Sequence, residues 1–399
     1  MRLENKGRFR KETLLRGRCF PLNRTMLVPA DKESAQKLYE LEGVGCIFPL
    51  DQKLGIDTAP FKATYRMVSD IAWEGISCRS YREAAARLSK SNNYSISHAQ
   101  VKAVTDYVGK LVFADDSRRA EEAKLFDVKK VDKRREKNDT IYVEFDGSFY
   151  SELTEGESGC EWKECKIGIC FKESDMIRWG NSTEVKHKDL VGYIGSKDDF
   201  EPFLKALLIR NGFYKCKNKL FLTDGATWIL PFLKEHYPGC VYILDKWHAK
   251  ENAGKFAHAV KRGKKQKEAF TQKLFDLIDQ GDVETLLKEL EPYKNFKATG
   301  VVQFYDYVNR LKDCMHYDQY EAKGFCDGSG QIESAHRYTV QDRMKQSGQH
   351  WKHENGQGIL SMKARKESNK WSEVVQLIKE DYIKRRTEKA NRPQNVGKF

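Results

Sequence analysis

Three short apolar segments in the middle of the chain each run directly into an aspartate. The segments TIYVEF, NKLFLT and CVYIL are rich in β-branched and aromatic residues, which is typical of buried strands. They lead to Asp146, Asp224 and Asp245. Helical patterns alternate with the later strands, so the sequence predicts a mixed sheet flanked by helices. Carboxylates that end neighbouring strands are well placed to converge at one edge of such a sheet.

Converging carboxylates indicate one kind of chemistry. Two or three of them in oxygen-rich surroundings favour Mg²⁺, with Mn²⁺ as the alternative, over zinc. A pair of such ions can activate a water or a 3′-hydroxyl and stabilise the leaving oxygen in phosphodiester chemistry. Asp146 and Asp224 are each followed by glycine, however, and Asp-Gly after a strand is also ordinary turn chemistry. The pattern leaves both interpretations open.

Other polar residues lie close to these strand ends in the sequence. Strand alternation puts Glu144 on the same face as Asp146, where it is either an acid that supports the site or a surface residue, and its charge favours the surface. Asp245 and His248 form Asp-x-x-His where a strand passes into a helix. This pair can bind a DNA phosphate, orient a ligand or simply cap the helix.

A further acidic residue, Glu333, follows a loop that contains Gly328 and Gly330. We expect it in the first turns of a helix. A carboxylate on a helix that faces the strand ends would complete a metal site, whereas a solvated glutamate is the ordinary alternative. Basic and aromatic residues after Glu333 can contact DNA phosphates or stack on bases. The predicted DNA contacts in this stretch are Arg337, Arg343, Lys345 and Trp351.

The region before the sheet has the pattern of paired helices. Ser80 with Glu83, and Ser97 with Gln100, are capping-box pairs that predict two helix starts. Two helices joined by a short polar connector, after an earlier helix, are typical of a helix-turn-helix. The second helix would present side chains to a DNA groove, and a helical hairpin used only for packing is the alternative. The candidate DNA contacts here are Ser97, His98, Gln100 and Lys102.

Changes of composition along the chain predict seven segments. The first three are an irregular basic segment (1–60), the helix-turn-helix domain (61–113) and a charged linker or solvated helix (114–139). The catalytic core begins at 140–249, is interrupted by a helical insertion (250–325), and ends at 326–365. A basic tail (366–399) follows.

Charge and cysteine usage restrict the partners and the compartment. The formal net charge of +13 favours a polyanionic partner. The ten cysteines contain no CxxC pair, which argues against a zinc ribbon or finger. The basic N-terminus is not followed by an apolar signal region, and no apolar run reaches the length of a membrane span. We therefore expect a cytoplasmic protein without a membrane partner.

Several of these motifs together resemble the DDE transposases of bacterial insertion sequences. The matching segments include EFDGSFY, LTDGATWI, LDKWHA and SGQIES, and the similarity is greatest to the ISLre type and the related ISKra type. It runs from about residue 40 to about residue 365. The resemblance implies an RNase H-like catalytic domain with an all-helical insertion. It also implies that Asp146, Asp224 and Glu333 are the catalytic, metal-binding residues, with Asp245 and His248 in support.

The same resemblance implies an activity and a set of partners. Such enzymes cut double-stranded DNA at transposon ends and join the freed 3′-hydroxyl to target DNA with Mg²⁺. Pairing two ends implies a homo-oligomer, at least a dimer. Two alternatives stay open. One is a catalytically silent, domesticated transposase that acts as a sequence-specific DNA-binding protein, and the other is an RNase H-like nuclease for RNA or branched DNA.

Overall fold

The computed structural model describes residues 1–15, 18–42, 44–57, 59–92, 95–131, 137–154, 159–179 and 182–390. The chain divides into two compact units. The first comprises Met1–Arg118, Tyr150–Lys163 and Tyr338–Phe399, and the second comprises Arg119–Phe149 and Glu164–Arg337. Each unit is thus assembled from separate stretches of sequence.

The strands are β1 (Leu3–Leu15), β2 (Arg18–Pro29), β3 (Lys137–Leu153), β4 (Cys160–Lys172), β5 (Met176–Trp179), β6 (Ser182–Val185), β7 (Lys188–Ile194), β8 (Cys216–Thr223) and β9 (Val241–Leu244). The helices are α1 (Lys32–Glu42), α2 (Pro49–Leu54), α3 (Tyr65–Ser77), α4 (Tyr81–Asn92), α5 (His98–Lys124), α6 (Lys197–Arg210), α7 (Ile229–His236), α8 (Lys246–Val260), α9 (Lys264–Asp279), α10 (Val283–Leu290), α11 (Phe304–Leu311), α12 (Tyr317–Ala322), α13 (Gly330–His336), α14 (Asp342–Met344), α15 (His353–Glu367) and α16 (Trp371–Ala390).

The N-terminal segment 1–60 was predicted to be irregular, and this prediction is wrong. β1 and β2 form an antiparallel ribbon whose register runs from Leu3 opposite Pro29 to Leu15 opposite Arg18. The helices α1 and α2 follow. A two-stranded ribbon leaves a free edge on each strand, so prolines that cannot donate a ladder hydrogen bond are tolerated there. Those prolines concealed the strands in the sequence.

The helices predicted in 61–113 are confirmed, and so are their caps. The Ser80 hydroxyl accepts from the Glu83 N–H at 3.1 Å. The Ser97 N–H donates to the Gln100 side chain at 2.9 Å, and the Gln100 N–H donates back to Ser97 Oγ at 3.2 Å. These reciprocal bonds satisfy N–H groups that a helix start would otherwise leave unpaired.

The charged stretch 114–139 was predicted to be a linker or a solvated helix. Its first part is helical, because α5 continues to Lys124, but one face of this helix is buried. Val108, Val112 and Ala120 are buried at multiples of four residues, which gives this charged helix an apolar stripe. Asp115 and Asp116 are also buried, and both pair with Arg365 inside the first unit. Residues 132–136 of the predicted linker lie outside the described residues.

The basic tail predicted at 366–399 is helical and packed as far as Ala390. It forms α16, which buries Val374, Ile378 and Tyr382 at a spacing of four residues. The stretch 338–365, predicted as the end of the catalytic core, belongs to the first unit. Residues 391–399 lie outside the described residues.

The second unit is built on a five-stranded mixed sheet with the order β7-β4-β3-β8-β9. β3 is parallel to β8 and β8 is parallel to β9, whereas β4 is antiparallel to β7. The predicted mixed α/β class is therefore confirmed, although β7 was not predicted. The Phe145 ring contacts the rings of Phe200, Phe221 and Phe232, so the sheet and its helices share one aromatic core.

Helices α8 to α12 occupy the chain between β9 and α13, as predicted for the insertion at 250–325. Their core is aromatic, because the buried Phe256 ring contacts the rings of Phe270, Tyr293 and Phe304. None of the described helices combines the length and the apolar composition that a bilayer crossing requires.

Candidate active site

The register of three parallel strands brings three aspartates to one edge of the sheet. The paired residues nearest this edge are Glu144 with Leu222 and Thr223 with Leu244. Asp146 and Asp224 each lie two residues beyond the first pair, and Asp224 and Asp245 each lie one residue beyond the second. The three aspartates are therefore level with one another along adjacent strands, as the sequence predicted.

The strand that carries Asp146 does not end there, contrary to the sequence prediction. β3 continues to Leu153, although its pairing with β8 stops at Glu144. The neighbouring strand β4 approaches closely at Gly147, where an added Cβ would lie 2.0 Å from Glu164 Oε1. Glycine thus leaves room here for the Glu164 carboxylate next to the backbone of β3.

Asp224 is the aspartate whose electrostatics respond most clearly to this arrangement. Its pKa is raised above the ordinary value, first by burial and then by the negative charge of Asp146. A hydrogen bond from the Ala226 N–H to Asp224 Oδ1, at 3.0 Å, acts in the opposite direction. A buried carboxylate whose pKa is raised by a neighbouring carboxylate favours a proton or a cation beside it.

The loop after β8 is fixed by the helical insertion. Gly225 has φ +82°, and a Cβ at this position would lie 2.7 Å from Leu311 and 2.8 Å from Leu244. Arg310 of α11 donates to the Gly225 carbonyl at 2.9 Å, and the Tyr307 hydroxyl donates to the Asp224 carbonyl at 3.2 Å. The insertion therefore holds the backbone on which Asp224 stands.

Asp245 is buried and serves as the N-cap of α8. Its Oδ1 accepts from the His248 N–H at 2.7 Å, and its Oδ2 accepts from Ser329 Oγ at 2.6 Å and from the Ser329 N–H. Burial alone would raise the pKa of Asp245, but these hydrogen bonds outweigh it and lower the pKa. Asp245 thus joins α8 to the loop that precedes α13, and its lone pairs are largely used.

His248 lies among acidic groups. Its Nδ1 is 3.2 Å from Asp245 Oδ1, and this interaction raises the pKa of the imidazole, with further contributions from Asp224 and Glu333. Burial lowers the pKa of His248, but its effect is smaller than the combined effect of these acidic groups. The arrangement favours a positively charged His248 next to the aspartate row.

Glu144 was predicted to lie at the surface, and this prediction is wrong because its side chain is fully buried. Its Oε2 accepts from the Ile332 N–H at 2.8 Å, and among the described residues its Oε1 has no hydrogen-bond partner. Burial raises the pKa of Glu144 to about 8, and the charges of Asp245 and Glu333 act in the same direction. The glutamate ties β3 to the helix that carries Glu333.

Helix α13 places Glu333 and His336 three residues apart, and therefore on neighbouring positions of one face. His336 is buried, and its Nε2 lies 3.4 Å from Asp146 Oδ2. The Glu333 side chain is exposed. The sequence reasoning missed His336, although its spacing from Glu333 was the available signal. A π-helical turn at Arg337–Gln341 follows directly, a feature often found at functional sites.

The predicted DNA contacts divide into exposed and buried side chains. The exposed ones are Ser97, His98, Gln100, Lys102, Arg337 and Lys345. Arg343 and Trp351 are buried, and Arg343 Nε donates to the Gly75 carbonyl at 2.9 Å. These two side chains therefore do not lie on an open surface, and the phosphate contact predicted for Arg343 and the base stacking predicted for Trp351 stay predictions.

The fit of a metal ion to this edge is partial. Among the described residues, no group of three or more His, Cys, Asp or Glu side chains is arranged to hold a metal ion. Asp146 and Asp224 are electrostatically coupled neighbours, and the ring nitrogens of His336 beside Asp146 have no hydrogen-bond partner in this part of the chain. The donor set suits a cation, but Glu333 does not complete a three-ligand group in this conformation.

Comparison with curated proteins found no match to the chain. A family model described as "Uncharacterised protein family (UPF0236)" matches residues 38–381, which include both halves of the sheet edge, the helical insertion and α13. The chain therefore belongs to the UPF0236 family.

Proposed function

We propose that the protein is a DDE-type DNA transposase, which cleaves transposon-end DNA and transfers the 3′-hydroxyl to target DNA. One observation carries the proposal: Asp146 and Asp224 occupy equivalent positions on adjacent parallel strands, and the charge of Asp146 raises the pKa of Asp224. A five-stranded mixed sheet with an all-helical segment between its last strand and α13 is consistent with the RNase H-like domain that the resemblance implies.

In this proposal Asp146, Asp224 and Glu333 hold Mg²⁺, or Mn²⁺ in its place. The bound ions would neutralise developing charge and activate the attacking water or 3′-hydroxyl. The chain's own contribution is to fix the carboxylates. The Ala226 N–H donates to Asp224 and fixes that carboxylate. Helix α13 is fixed by two hydrogen bonds, one from the Ser329 hydroxyl to Asp245 and one from the Ile332 N–H to Glu144. The exposed side chain of Glu333 is then free to turn toward the aspartates.

Asp245 and His248 act in support of this edge. Asp245 fixes the start of α8, and its negative charge favours the protonated form of His248. A protonated imidazole beside the aspartate row would bind a phosphate oxygen of the DNA strand and orient it toward the carboxylates. We assign both residues a positioning role, since Asp245 has few lone pairs left for a metal.

The first unit carries the DNA-binding part of the proposal. The capped start of α5 presents Ser97, His98, Gln100 and Lys102 to solvent, after two shorter helices, which supports a helix-turn-helix interpretation. The net charge of +13 favours an extended polyanion. We further propose action as a dimer or larger oligomer on paired DNA ends in the bacterial nucleoid.

The test is Mg²⁺-dependent nicking of DNA from the borders of the coding region, where inverted repeats are expected. Asp146→Asn, Asp224→Asn and Glu333→Gln should each reduce nicking about 100-fold or more, since each removes charge from a metal site. Glu268→Gln, an exposed glutamate of α9, is the matched control and should leave the rate unchanged. Nicking that survives Glu333→Gln would remove Glu333 from the catalytic set.

The same experiment tests the catalytically silent alternative. The absence of a preformed three-ligand group in the described residues is the observation that favours it. Salt-sensitive binding of the border DNA, with no nicking in Mg²⁺ or Mn²⁺, would support a DNA-binding protein and overturn the enzymatic proposal.

A further inference from the structure

A cavity of about 360 Å³ lies within the first unit, at the start of α4, on α5 and along residues 343–355. This volume is within the range of ligand-binding pockets. Its wall includes Ser80, Tyr81, Lys102, Arg343, Gln349 and Lys352, together with the Trp351 ring. No aspartate or glutamate of the described residues lines it. The cavity is therefore cationic.

The centre of this wall is a buried arginine. Arg343 is 1 % exposed, and its guanidinium carbon lies 4.6 Å from the Tyr81 ring centroid and 4.8 Å from the Trp351 ring centroid. Nε donates to the Gly75 carbonyl at 2.9 Å, whereas Nη2 has no hydrogen-bond partner in the described part of the chain. Nη1 donates to the Arg79 carbonyl at 3.4 Å, and the charges of Asp106 and Glu83 favour the charged guanidinium, but burial outweighs them and lowers its pKa. A buried cation that is compensated only in part is costly, and an anion in the cavity would offset that cost.

Other hydrogen-bond donors line the same cavity. The Tyr81 hydroxyl is buried and has no hydrogen-bond partner among the described residues. Helix α15 begins here, and its N-cap Lys352 makes no side-chain cap bond. The first N–H groups of a helix lack intrahelical partners and attract anions. Two independent features, a buried arginine whose Nη2 has no partner among the described residues and an uncapped helix start, thus favour the same kind of ligand.

The remaining wall residues add charge and one acceptor. Lys102 and Lys352 are exposed at the rim. Asp106 bonds Lys102 but does not line the cavity. The Gln349 side-chain amide donates to the Arg79 carbonyl at 2.7 Å, while its Oε1 has no partner within the described residues. A free acceptor beside several donors suits a ligand that joins a phosphate to a hydroxyl or a base N–H, as a nucleotide does.

We propose that this cavity, hereafter the Arg343 pocket, binds the phosphate group of a nucleotide within a DNA strand. Arg343 and the start of α15 contact the phosphate oxygens, and Lys102 and Lys352 attract the strand. Only the identity of the ligand as DNA rests on the proposed function; recognition of phosphate does not. The Arg343 pocket lies outside the catalytic carboxylates, so its role can be tested when catalysis is absent.

The experiment measures binding by the full-length Glu333→Gln protein in EDTA, which separates the pocket from catalysis. The probes are inorganic phosphate, a duplex with a 5′-phosphate and the same duplex with a 5′-hydroxyl, with chloride at matched ionic strength as the reference. The test variant is Lys102→Ala/Lys352→Ala, and Arg343→Lys keeps the charge but loses the planar fork. Lys379→Ala on α16, exposed and outside the pocket, is the matched control. Thermal melting monitors folding.

We expect inorganic phosphate to bind and to compete with duplex DNA. In a plot of the logarithm of the duplex binding constant against the logarithm of the salt concentration, the double variant should have a slope about 2 shallower, since each lysine neutralises about one phosphate. Tighter binding of the 5′-phosphorylated duplex would assign the pocket to a strand end, and equal binding would assign it to the backbone diester. Phosphate binding that is unchanged in both pocket variants, or lost equally in Lys379→Ala, would overturn the proposal. Failure to nick DNA would not affect it.

Discussion

Replacing Asp245 by asparagine should destabilise the second unit strongly, although the two side chains have the same shape. The carboxylate accepts from the His248 N–H with one oxygen and from two donors of Ser329 with the other. Asparagine has one acceptor oxygen, so either its NH₂ group faces the Ser329 donors or the cap of α8 is lost. One or two buried donors left without acceptors cost about 1–3 kcal/mol each, so we expect a loss of about 2–4 kcal/mol. Asp245→Ala should lower the free energy of unfolding by about 1 kcal/mol more, because it also removes the N-cap of α8.

The assay is urea unfolding followed by circular dichroism at neutral pH. Ser329→Ala completes a double-mutant cycle, in which we expect a coupling energy of about 1 kcal/mol or more between the two positions. The matched control is Asp282→Asn, since Asp282 caps α10 from a half-buried position and, among the described residues, accepts from Thr285 alone, through the Thr285 side chain and through the Thr285 N–H at 3.1 Å. A change for Asp245→Asn no larger than the change for Asp282→Asn would refute the reasoning.

The pH dependence gives this prediction a second measurement. The pKa of Asp245 is lowered below its ordinary value of 3.8. The stability that it contributes is therefore fully present above pH 3.8 and is lost as the pH falls below that value, through the lower folded-state pKa. The difference in stability between the wild-type protein and Asp245→Asn should narrow over this acid range.

Three further substitutions test other parts of the account. Gly225→Ala should cost about 2–5 kcal/mol in urea unfolding, because it adds strain at positive φ and a clash with two leucine side chains; a neutral result would contradict the loop geometry. Arg365→Met should destabilise the first unit by about 3–5 kcal/mol by stranding buried carboxylates, and a stabilised variant would show that they are not paired. Glu144→Leu removes the acceptor of the Ile332 N–H and should weaken Mn²⁺ binding. Glu144→Gln keeps an acceptor and should bind Mn²⁺ as tightly as the wild-type protein. Because burial raises the pKa of Glu144 to about 8, above its ordinary value of 4.5, the stability of the wild-type protein should fall relative to that of Glu144→Gln as the pH rises from 4.5 to 8. Parallel stability curves would contradict the burial of this glutamate.

The sheet edge could be predicted from the sequence because its information is local. Strands rich in β-branched and aromatic residues, each followed by an aspartate, are visible within ten residues of Asp146, Asp224 and Asp245. β7 was missed because its segment KDLVGYI is short and contains a glycine. The order of strands in a sheet depends on contacts between distant segments, which a single sequence does not display.

The errors share one physical cause, which is that burial is decided by distant partners. Glu144 was assigned to the surface on its charge, but the Ile332 N–H, far along the chain, satisfies one of its oxygens in the core. The charges of Asp115 and Asp116 favoured a solvated segment, because the sequence does not show that Arg365 pairs with both of them in the core. In the same way, no local signal shows that Arg343 is enclosed by aromatic rings.

The most direct test of the account is Mn²⁺ binding to the full-length protein, measured by electron paramagnetic resonance in the absence of DNA and with DNA. We predict saturable binding that is weakened at least tenfold by Asp146→Asn or Asp224→Asn and is unchanged by Asp245→Asn in protein that remains folded. Glu333→Gln should weaken it to a similar extent, at least once DNA is bound. Binding that is absent under both conditions, or that is insensitive to Asp146 and Asp224, would contradict the claim that this edge of the sheet is a metal-dependent catalytic site.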